Sequence, residues 1–454
     1  MVKYRASRGG RRVVRQRSRR RRTIAREAPG YQDGHENGYR EGVQAGLASY
    51  DTIFDGTSII IPTFNQRELL AKCINSIVRY TEPAYEIIVV DNGSTDGTAE
   101  YLARLGAIVR HRVLERNLGF AGACNIGLMM AKGRTLMLLN NDTLVTENWL
   151  ENLLACLKSD ADIGMVGPVT NFISGEQQIQ VPYTDIHDMQ SFASRFNRHD
   201  PNRWRNTDRL VGFCVLMQRE TFLKLGYLDE GFELGNFEDD DWDIRVRLLG
   251  QRLVIAGDTF IHHFGSVSIR ALGDGFQRVH SANERYYLDK WRGWQRWSGI
   301  VASSSGKDGR DGSLGLSELF PSGVAVRVGD ADVYWVEGGK RRLVAGVLPI
   351  EAVKLSRVDL RRWPIGEPIE AQEALERWHA GVVPVEGKAC AVALLPDGTA
   401  YHLEGDTARP LLGSAALKSW NLHLKPMAEV SETALEGWRQ GAPIIALPKL
   451  LQAL

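Results

Sequence analysis

The run Ser58 to Ile61 is apolar and β-branched and closes at Pro62, which predicts a buried strand. The period then lengthens. Leu69, Leu70, Cys73, Ile74 and Ile77 fall on one side of a helix between Glu68 and Val78. "EIIVVDNGSTDGT" reads as a second strand and a turn, with Ser94 or Thr95 placed to cap a helix beginning near Asp96. "AIVRHRVLE" supplies a strand, "GACNIGLMMAKG" a helix ended by Gly133, and "TLMLLNND" a further strand. Strands alternating with helices predict an α/β domain with a largely parallel sheet. Polar residues collect at the carboxyl ends of the strands: Thr63, Asp91 and Asn92, then Asn140 to Asp142. That edge is where open α/β sheets bind ligands.

After residue 300 the pattern changes. "SSSGKDGRDGSLG" reads as a linker. Beyond it, "VYWVEGGKRRLVAG" from Val333 is echoed by "AYHLEGDTARPLLG" from Ala400, aligning Tyr334, Glu337, Gly338 and Arg342 with Tyr401, Glu404, Gly405 and Arg409. "WPIGEPI" from Trp363 is echoed by "WRQGAPI" from Trp438. Each unit predicts a short β-hairpin, a helix and a terminal turn. Together they make an α+β two-repeat module without an acid, base or nucleophile constellation. Acceptor binding and packing between copies of the chain, as an oligomer, both fit it.

At the other end, residues 1–29 hold "RRVVRQRSRRRRTIAR" and almost no acid. Such a block cannot bury enough apolar surface to fold alone and predicts a disordered basic arm. A solubilising tail is its plain use; peripheral contact with anionic membrane or polymer is its functional one. Gly30, Gly34, Gly38, Gly42 and Gly46 recur every fourth residue, predicting a glycine-weakened linker helix over 30–55. The division expected is therefore arm 1–29, linker helix 30–55, folded domain 56–298, linker 299–320 and two-repeat accessory module 321–454.

Composition narrows the class. The 454 residues suffice for two or three domains, and the net charge of +1 excludes a molecule built as a whole to attract polyanions. No stretch of roughly eighteen apolar residues is present to span a membrane. No apolar segment follows the arginines, so they are not a secretory signal. Cys73, Cys124, Cys156, Cys214 and Cys390 lack metal-ligand spacing and read as reduced thiols of a cytoplasmic protein.

"NFEDDDWDIRVRLLG" sets Glu238 to Asp241 side by side, with Asp243 close behind. Trp242, Val246 and Leu249 recur at helical spacing and Gly250 ends the run. The acids thus open a helix, at the positive end of its dipole. Successive helical residues point about 100° apart, so four carboxylates cannot share one target. Asp241 and Asp243 are placed to pair with Arg245 or Arg247 along the helix, so the run divides between acids that satisfy the helix and one that faces a substrate.

The ordered set "SIIIPTFN", "VVDNGSTDGT", "RNLGFAGACNIG", "LLNNDT", "GNFEDDDWDIRVRLLG" and "HHFGS" resembles the family 2 glycosyltransferases, most of all the rhamnosyltransferase-like branch of bacterial surface polysaccharide synthesis. The resemblance covers about residues 56–295. It implies a GT-A (nucleotide-diphospho-sugar transferase) Rossmann-like domain, a nucleotide-diphosphate sugar donor, a divalent cation (Mg2+ or Mn2+) and inversion at the anomeric carbon. A hard cation with oxygen ligands would neutralise the departing diphosphate.

Carried over residue by residue, the resemblance places metal ligation at Asp142 and Asn140, with His262 and His263 as the late histidines and His262 ranked first by its spacing to Gly265. The usual first aspartate is here Asn140, which weakens the charge of that site. Donor binding falls to Pro62, Thr63, Phe64, Asp91, Asn92, Asn117, Gly119, Asn125 and Asn141. Asp239 corresponds to the base that takes the acceptor's proton, with Glu238 and Asp240 tuning or orienting it. The acceptor implied is a glycan, a lipid-linked glycan or a protein, met in the cytoplasm or at the inner face of the membrane. A protein or peptide side-chain glycosyltransferase and an inactive sugar-nucleotide-binding scaffold are the alternatives. A nucleotidyltransferase lacks its glycine-rich basic loop here.

Overall fold

The structure is a computed structural model that describes residues 52–265, 275–295, 317–330 and 332–451. The basic arm, the glycine repeat, Ser266 and most of the expected linker lie outside the described residues.

The first half builds β1 (Phe54–Thr63), α1 (Arg67–Tyr80), β2 (Tyr85–Asp91), α2 (Thr98–Leu105), β3 (Val109–Val113), α3 (Gly119–Met130) and β4 (Gly133–Leu139). Then follow β5 (Thr143–Leu144), α4 (Trp149–Lys158), β6 (Ile163–Val169), α5 (Met189–Phe196), β7 (Trp204–Thr207), β8 (Cys214–Gln218) and α6 (Arg219–Leu225). The acidic run opens α7 (Glu238–Leu248), which leads to β9 (Arg252–Phe260), β10 (His262–His263) and α8 (Gly275–Lys290).

One eight-stranded sheet has the order β3-β2-β1-β4-β8-β6-β9-β7. Its first half is parallel. Beyond β4 it is mixed, because β8 runs antiparallel to both β4 and β6 and β7 runs antiparallel to β9. The largely parallel sheet expected from sequence thus covers β1 to β4. β1 alternates as a central strand must: Ile59 and Ile61 enter the cluster with Leu70, Ile74 and Trp149, whereas Ile60 enters the one with Leu128 and Trp242.

Three local expectations need correcting. Gly133 opens β4 rather than ending a helix, since a Cβ there would lie 2.5 Å from Ser58 N and 2.8 Å from Gly56 O. The α2 entry is not capped by Ser94 or Thr95. Asp96 accepts from Thr98 N at 3.2 Å, while Ser94 Oγ accepts from Asn65 N at 2.6 Å and ties the first two strand ends together. Phe54 and Asp55 belong to β1, not to a preceding linker.

The repeats form two sheets of one strand order. The first comprises β11 (Val324–Arg327), β12 (Val333–Glu337), β13 (Lys340–Ala345), β14 (Val353–Lys354) and β15 (Ile369–Glu370), ordered β14-β11-β12-β13-β15. After a small hairpin, β16 (Val383–Val385) and β17 (Lys388–Cys390), the second comprises β18 (Val392–Leu394), β19 (Ala400–Glu404), β20 (Thr407–Leu411), β21 (Met427–Glu429) and β22 (Arg439–Gln440), ordered β21-β18-β19-β20-β22. In both, three central antiparallel strands are flanked by short parallel strands. Leu319 and Phe320, assigned from sequence to the linker, are buried. Phe320, Trp335, Trp363 and Trp420 share one cluster with Ile60, Trp242 and Trp291, so the repeats extend the core of the α/β part. Among the described residues no helix is long and apolar enough to cross a membrane, and all five cysteines are buried and free.

Candidate active site

The carboxyl ends of β1, β2 and β4 converge as the sequence implies. Asn92 N donates to Thr63 O at 2.7 Å, and Asn141 Nδ2 donates to Thr63 Oγ1 at 2.8 Å. Pro62 and Thr63 are buried at the end of β1, and Phe64 beyond them is exposed. Asp91 ends β2 fully buried. Its Oδ1 accepts from Ser94 N at 3.0 Å, and its Oδ2 has no protein partner. Asn92 spends its amide on the glycine-rich loop, donating to Asn117 Oδ1 at 2.8 Å and Gly119 O at 3.0 Å, and accepting from Leu118 N at 2.8 Å. It positions that loop. Asn125 stands apart: fully buried on α3, it donates to Leu228 O and Glu230 Oε1 and accepts from Leu228 N, all at 2.9 Å. With those valences filled, Asn125 is an internal brace and does not face the strand ends.

Asp142 lies at the turn between β4 and β5. β10 pairs antiparallel with β5, setting His262 opposite Leu144 and His263 opposite Thr143. Neighbours on a strand face opposite ways, and only one of the two histidines reaches the carboxylate. It is His263, whose Nε2 approaches Asp142 Oδ1 to 3.2 Å, an ion-pair distance without hydrogen-bond geometry. His262, ranked first from its spacing, turns instead to Tyr183, whose hydroxyl meets its Nδ1 at 2.7 Å. Burial, and then the neighbouring His263, lower the His262 pKa to about 4.

His263 is held on every side. Its Nδ1 lies 2.8 Å from Phe172 O, its backbone N and O exchange bonds with Asn171 at 2.9 and 3.1 Å, and its ring stacks on Phe213 at 5.3 Å. A carbonyl only accepts, so Nδ1 carries a hydrogen and Nε2 of the neutral ring presents a lone pair toward a carboxylate. Two acceptors at 3.2 Å are reconciled by a proton or by a cation between them. The donor set therefore fits a divalent cation, and the carbonyl behind the imidazole is the outer partner that metal-ligating histidines have. Asn140 is fixed through its backbone, donating to Phe213 O at 2.8 Å, and adds no charge. Among the described residues no group of three His, Cys, Asp or Glu side chains gathers as a metal site. A cation here would rely on Asp142 and His263 with oxygens from water or a bound phosphate.

The five acids of the opening helix have separate fates. Burial works against the charge of Asp241, but Arg245 at 2.6 Å and Lys290 at 2.5 Å hold its carboxyl below the usual range, and Trp291 Nε1 donates at 2.9 Å. Asp240 is taken by Arg209 Nε at 2.5 Å. Asp243 is not on the helix surface and does not pair with Arg247, which reaches Asp208 at 2.9 Å. Asp243 is buried, accepts from Leu210 N at 2.8 Å and leaves Oδ1 unpartnered, so burial pushes its pKa well up. Glu238 is likewise buried, with Oε2 unpartnered and its pKa well up. Asp239 retains partial exposure. It accepts from Gly212 N at 2.9 Å and Asp240 N at 3.0 Å; burial and then Asp240 raise its pKa, while Arg209 opposes them. Glu238, Asp239 and Asp243 line one narrow cleft with Gly212 and Trp242.

Sequence reasoning missed the strip Arg209–Phe213, which joins the halves of this site. Arg209 holds Asp240, Leu210 N holds Asp243, Gly212 N holds Asp239, and Phe213 stacks on His263. Gly212 was the available signal: a Cβ there would come within 3.2 Å of Asp239 Cβ.

Residues 58–226 match the family model described as Glycosyl transferase family 2. The chain is 35% identical over 119 residues to glycosyltransferase GlyG of Streptococcus pneumoniae, covering 25% of this chain and 39% of that protein. It is 28% identical over 231 residues to the O-antigen biosynthesis protein RfbC of Myxococcus xanthus, covering 47% and 18%. The matches thus span less than half the length of these relatives. Among solved structures, GalNAc-T7 with UDP, GalNAc and Mn2+ is similar at a TM-score of 0.41 and 19% identity, over 56% of this chain and 52% of that one.

Proposed function

Because the chain carries a family 2 glycosyltransferase domain, we propose that it moves a glycosyl group from a nucleotide-diphosphate sugar to a hydroxyl acceptor with inversion, in assembly of a surface polysaccharide or glycoprotein. The observation that carries this is the state of Asp239. Of the three carboxyls lining the acidic cleft it is the one with partial exposure, and two backbone N–H groups fix both its oxygens.

In the proposed reaction the acceptor oxygen attacks the anomeric carbon as the bond to the diphosphate oxygen breaks. The acceptor's proton passes to Asp239, and the nucleoside diphosphate leaves with the bonding pair. Arg209 keeps Asp240 occupied and favours the ionised, proton-accepting form of Asp239. Asp91, with Oδ2 buried and unpartnered, suits the base or ribose of the donor. Thr63 and Asn141 form the adjoining floor, and Asn92 holds the loop of Asn117 and Gly119 beside it. Asp142 and His263 would hold a divalent cation, which when bound supplies positive charge to the departing diphosphate.

The test is turnover and donor binding in Asp239→Asn. Loss of general base catalysis costs roughly 10²–10⁴-fold in rate, and the donor dissociation constant should stay near the wild-type value. Wild-type turnover in the variant removes Asp239 as the base. Failure of the wild-type chain to bind or hydrolyse any member of a nucleotide-sugar panel removes the transferase assignment.

A further inference from the structure

Asn283, on α8 outside the motif set, is 1% exposed and directs its whole amide at one short loop. Its Oδ1 accepts from Glu233 N at 2.9 Å. Its Nδ2 donates to Glu233 O at 2.9 Å, Gly235 O at 2.9 Å and, more weakly, Asn236 O at 3.3 Å. That loop delivers the acidic helix. Leu234, Gly235, Asn236 and Phe237 have φ of 56°, 138°, 83° and 75°, four consecutive residues in the left-handed half of backbone space, three of them with a Cβ. The three with a Cβ are strained there and persist only where the surroundings over-determine them. Phe237 is the N-cap residue of α7 and makes no side-chain cap, so the direction of the first helical turn depends on the loop.

The rest of α8 grips the same region. The Phe237 ring lies 5.3 Å from those of His280 and Tyr287, and Lys290 bonds Asp241 at 2.5 Å. On its other side the loop meets the glycine-rich segment. Phe120 N donates to Leu234 O at 3.2 Å, and a Cβ on Gly119 would come within 3.2 Å of Leu234 N. An amide that both donates and accepts across one strained loop suits holding a single conformation better than adding stability alone.

We propose that Asn283 is a positioning residue that locks the loop 233–237 so that Asp239 is aimed at the reacting centre. This rests on Asp239 being the base. Asn283→Ala removes all four bonds and should lower kcat roughly 10–100-fold, since a misplacement of about 1 Å can cost 10²-fold, with donor affinity little changed. Asn283→Asp keeps the acceptor for Glu233 N and loses the donations, and it serves in the same measurements where the alanine variant does not fold. Each is then combined with Asp239→Asn. With no base left to aim, the Asn283 change should add no further loss, whereas a merely structural role would lower both backgrounds by the same factor. Equal losses in the two backgrounds, or wild-type kcat in the single Asn283 variants beside a slow Asp239→Asn, overturn the proposal alone. Wild-type turnover in Asp239→Asn overturns the base assignment and the proposal with it.

Discussion

Asp243 shows how far burial can reverse what a sequence suggests about a single acid. Four positions before Arg247, it has the spacing of a surface ion pair, but the helix turns it inward to Leu210 N and burial raises its pKa. The sign of the consequence follows from linkage. In the unfolded chain the group titrates near the ordinary ~3.9; in the fold it titrates higher. Below the unfolded value both states hold the proton and the fold keeps its full stability. As pH rises toward the raised value, the unfolded chain ionises first and stability declines. Asp243→Asn cannot ionise and should escape that decline. The difference in stability between the variant and the wild type should therefore grow with pH above ~3.9, by up to about 1.4 kcal/mol per pH unit for one proton. Urea unfolding at a series of pH values reads it. A difference that stays flat across pH would mean that Asp243 is as ionisable in the fold as in water.

At the scale of elements, β1, β2 and β4 were legible because strands buried on both faces read as continuous apolar runs, while the equally buried β6, β8 and β9 went unread. Other features left no such trace. Gly133 sits where either a helix end or a strand start would place a glycine, and only the approach of Ser58 N decides between them. Arg209–Phe213 works largely through backbone N–H groups, which every sequence offers equally. The histidine pair was found, but spacing cannot say which face of a two-residue strand looks at Asp142. The geometry favours His263, and Asn171 as its latch through both backbone groups. Manganese titration followed by electron paramagnetic resonance should thus show weak or no binding for His263→Ala. Asn171→Ala frees the His263 backbone but leaves its imidazole on Phe172 O, so it should weaken binding less than His263→Ala does, and His262→Ala should stay near the wild type. Manganese affinity that survives His263→Ala and disappears in His262→Ala would exchange the two roles.

At the scale of the whole molecule, the break in composition near residue 300 suggests a catalytic part that stands alone, and the packing argues against it. Lys449 N donates to Asp229 Oδ1 at 3.0 Å, Glu230 N donates to Lys449 O at 2.9 Å, and Leu451 N donates to Glu230 Oε2 at 2.8 Å. Asp229 also binds Lys290 at 2.5 Å, and Glu230 receives Asn125 at 2.9 Å, so the C-terminal stretch completes the network that braces α3, α7 and α8. Lys290 is fully buried between Asp229 and Asp241, at 2.5 Å from each. Such a charge is tolerable only while its surroundings stay dry and paired, and breaking a buried pair costs roughly 3–5 kcal/mol. A chain ending at residue 316 would open this network to water and strip the cluster around Trp242 and Trp291 of Phe320, Trp363 and Trp420. It should unfold at lower temperature than the full chain and lose donor binding as the brace on Asn125 and α7 loosens. Calorimetry of both chains with donor titrations decides it. An undiminished melting temperature with intact donor binding in the shortened chain would show that the repeats only lean on a catalytic domain that folds without them.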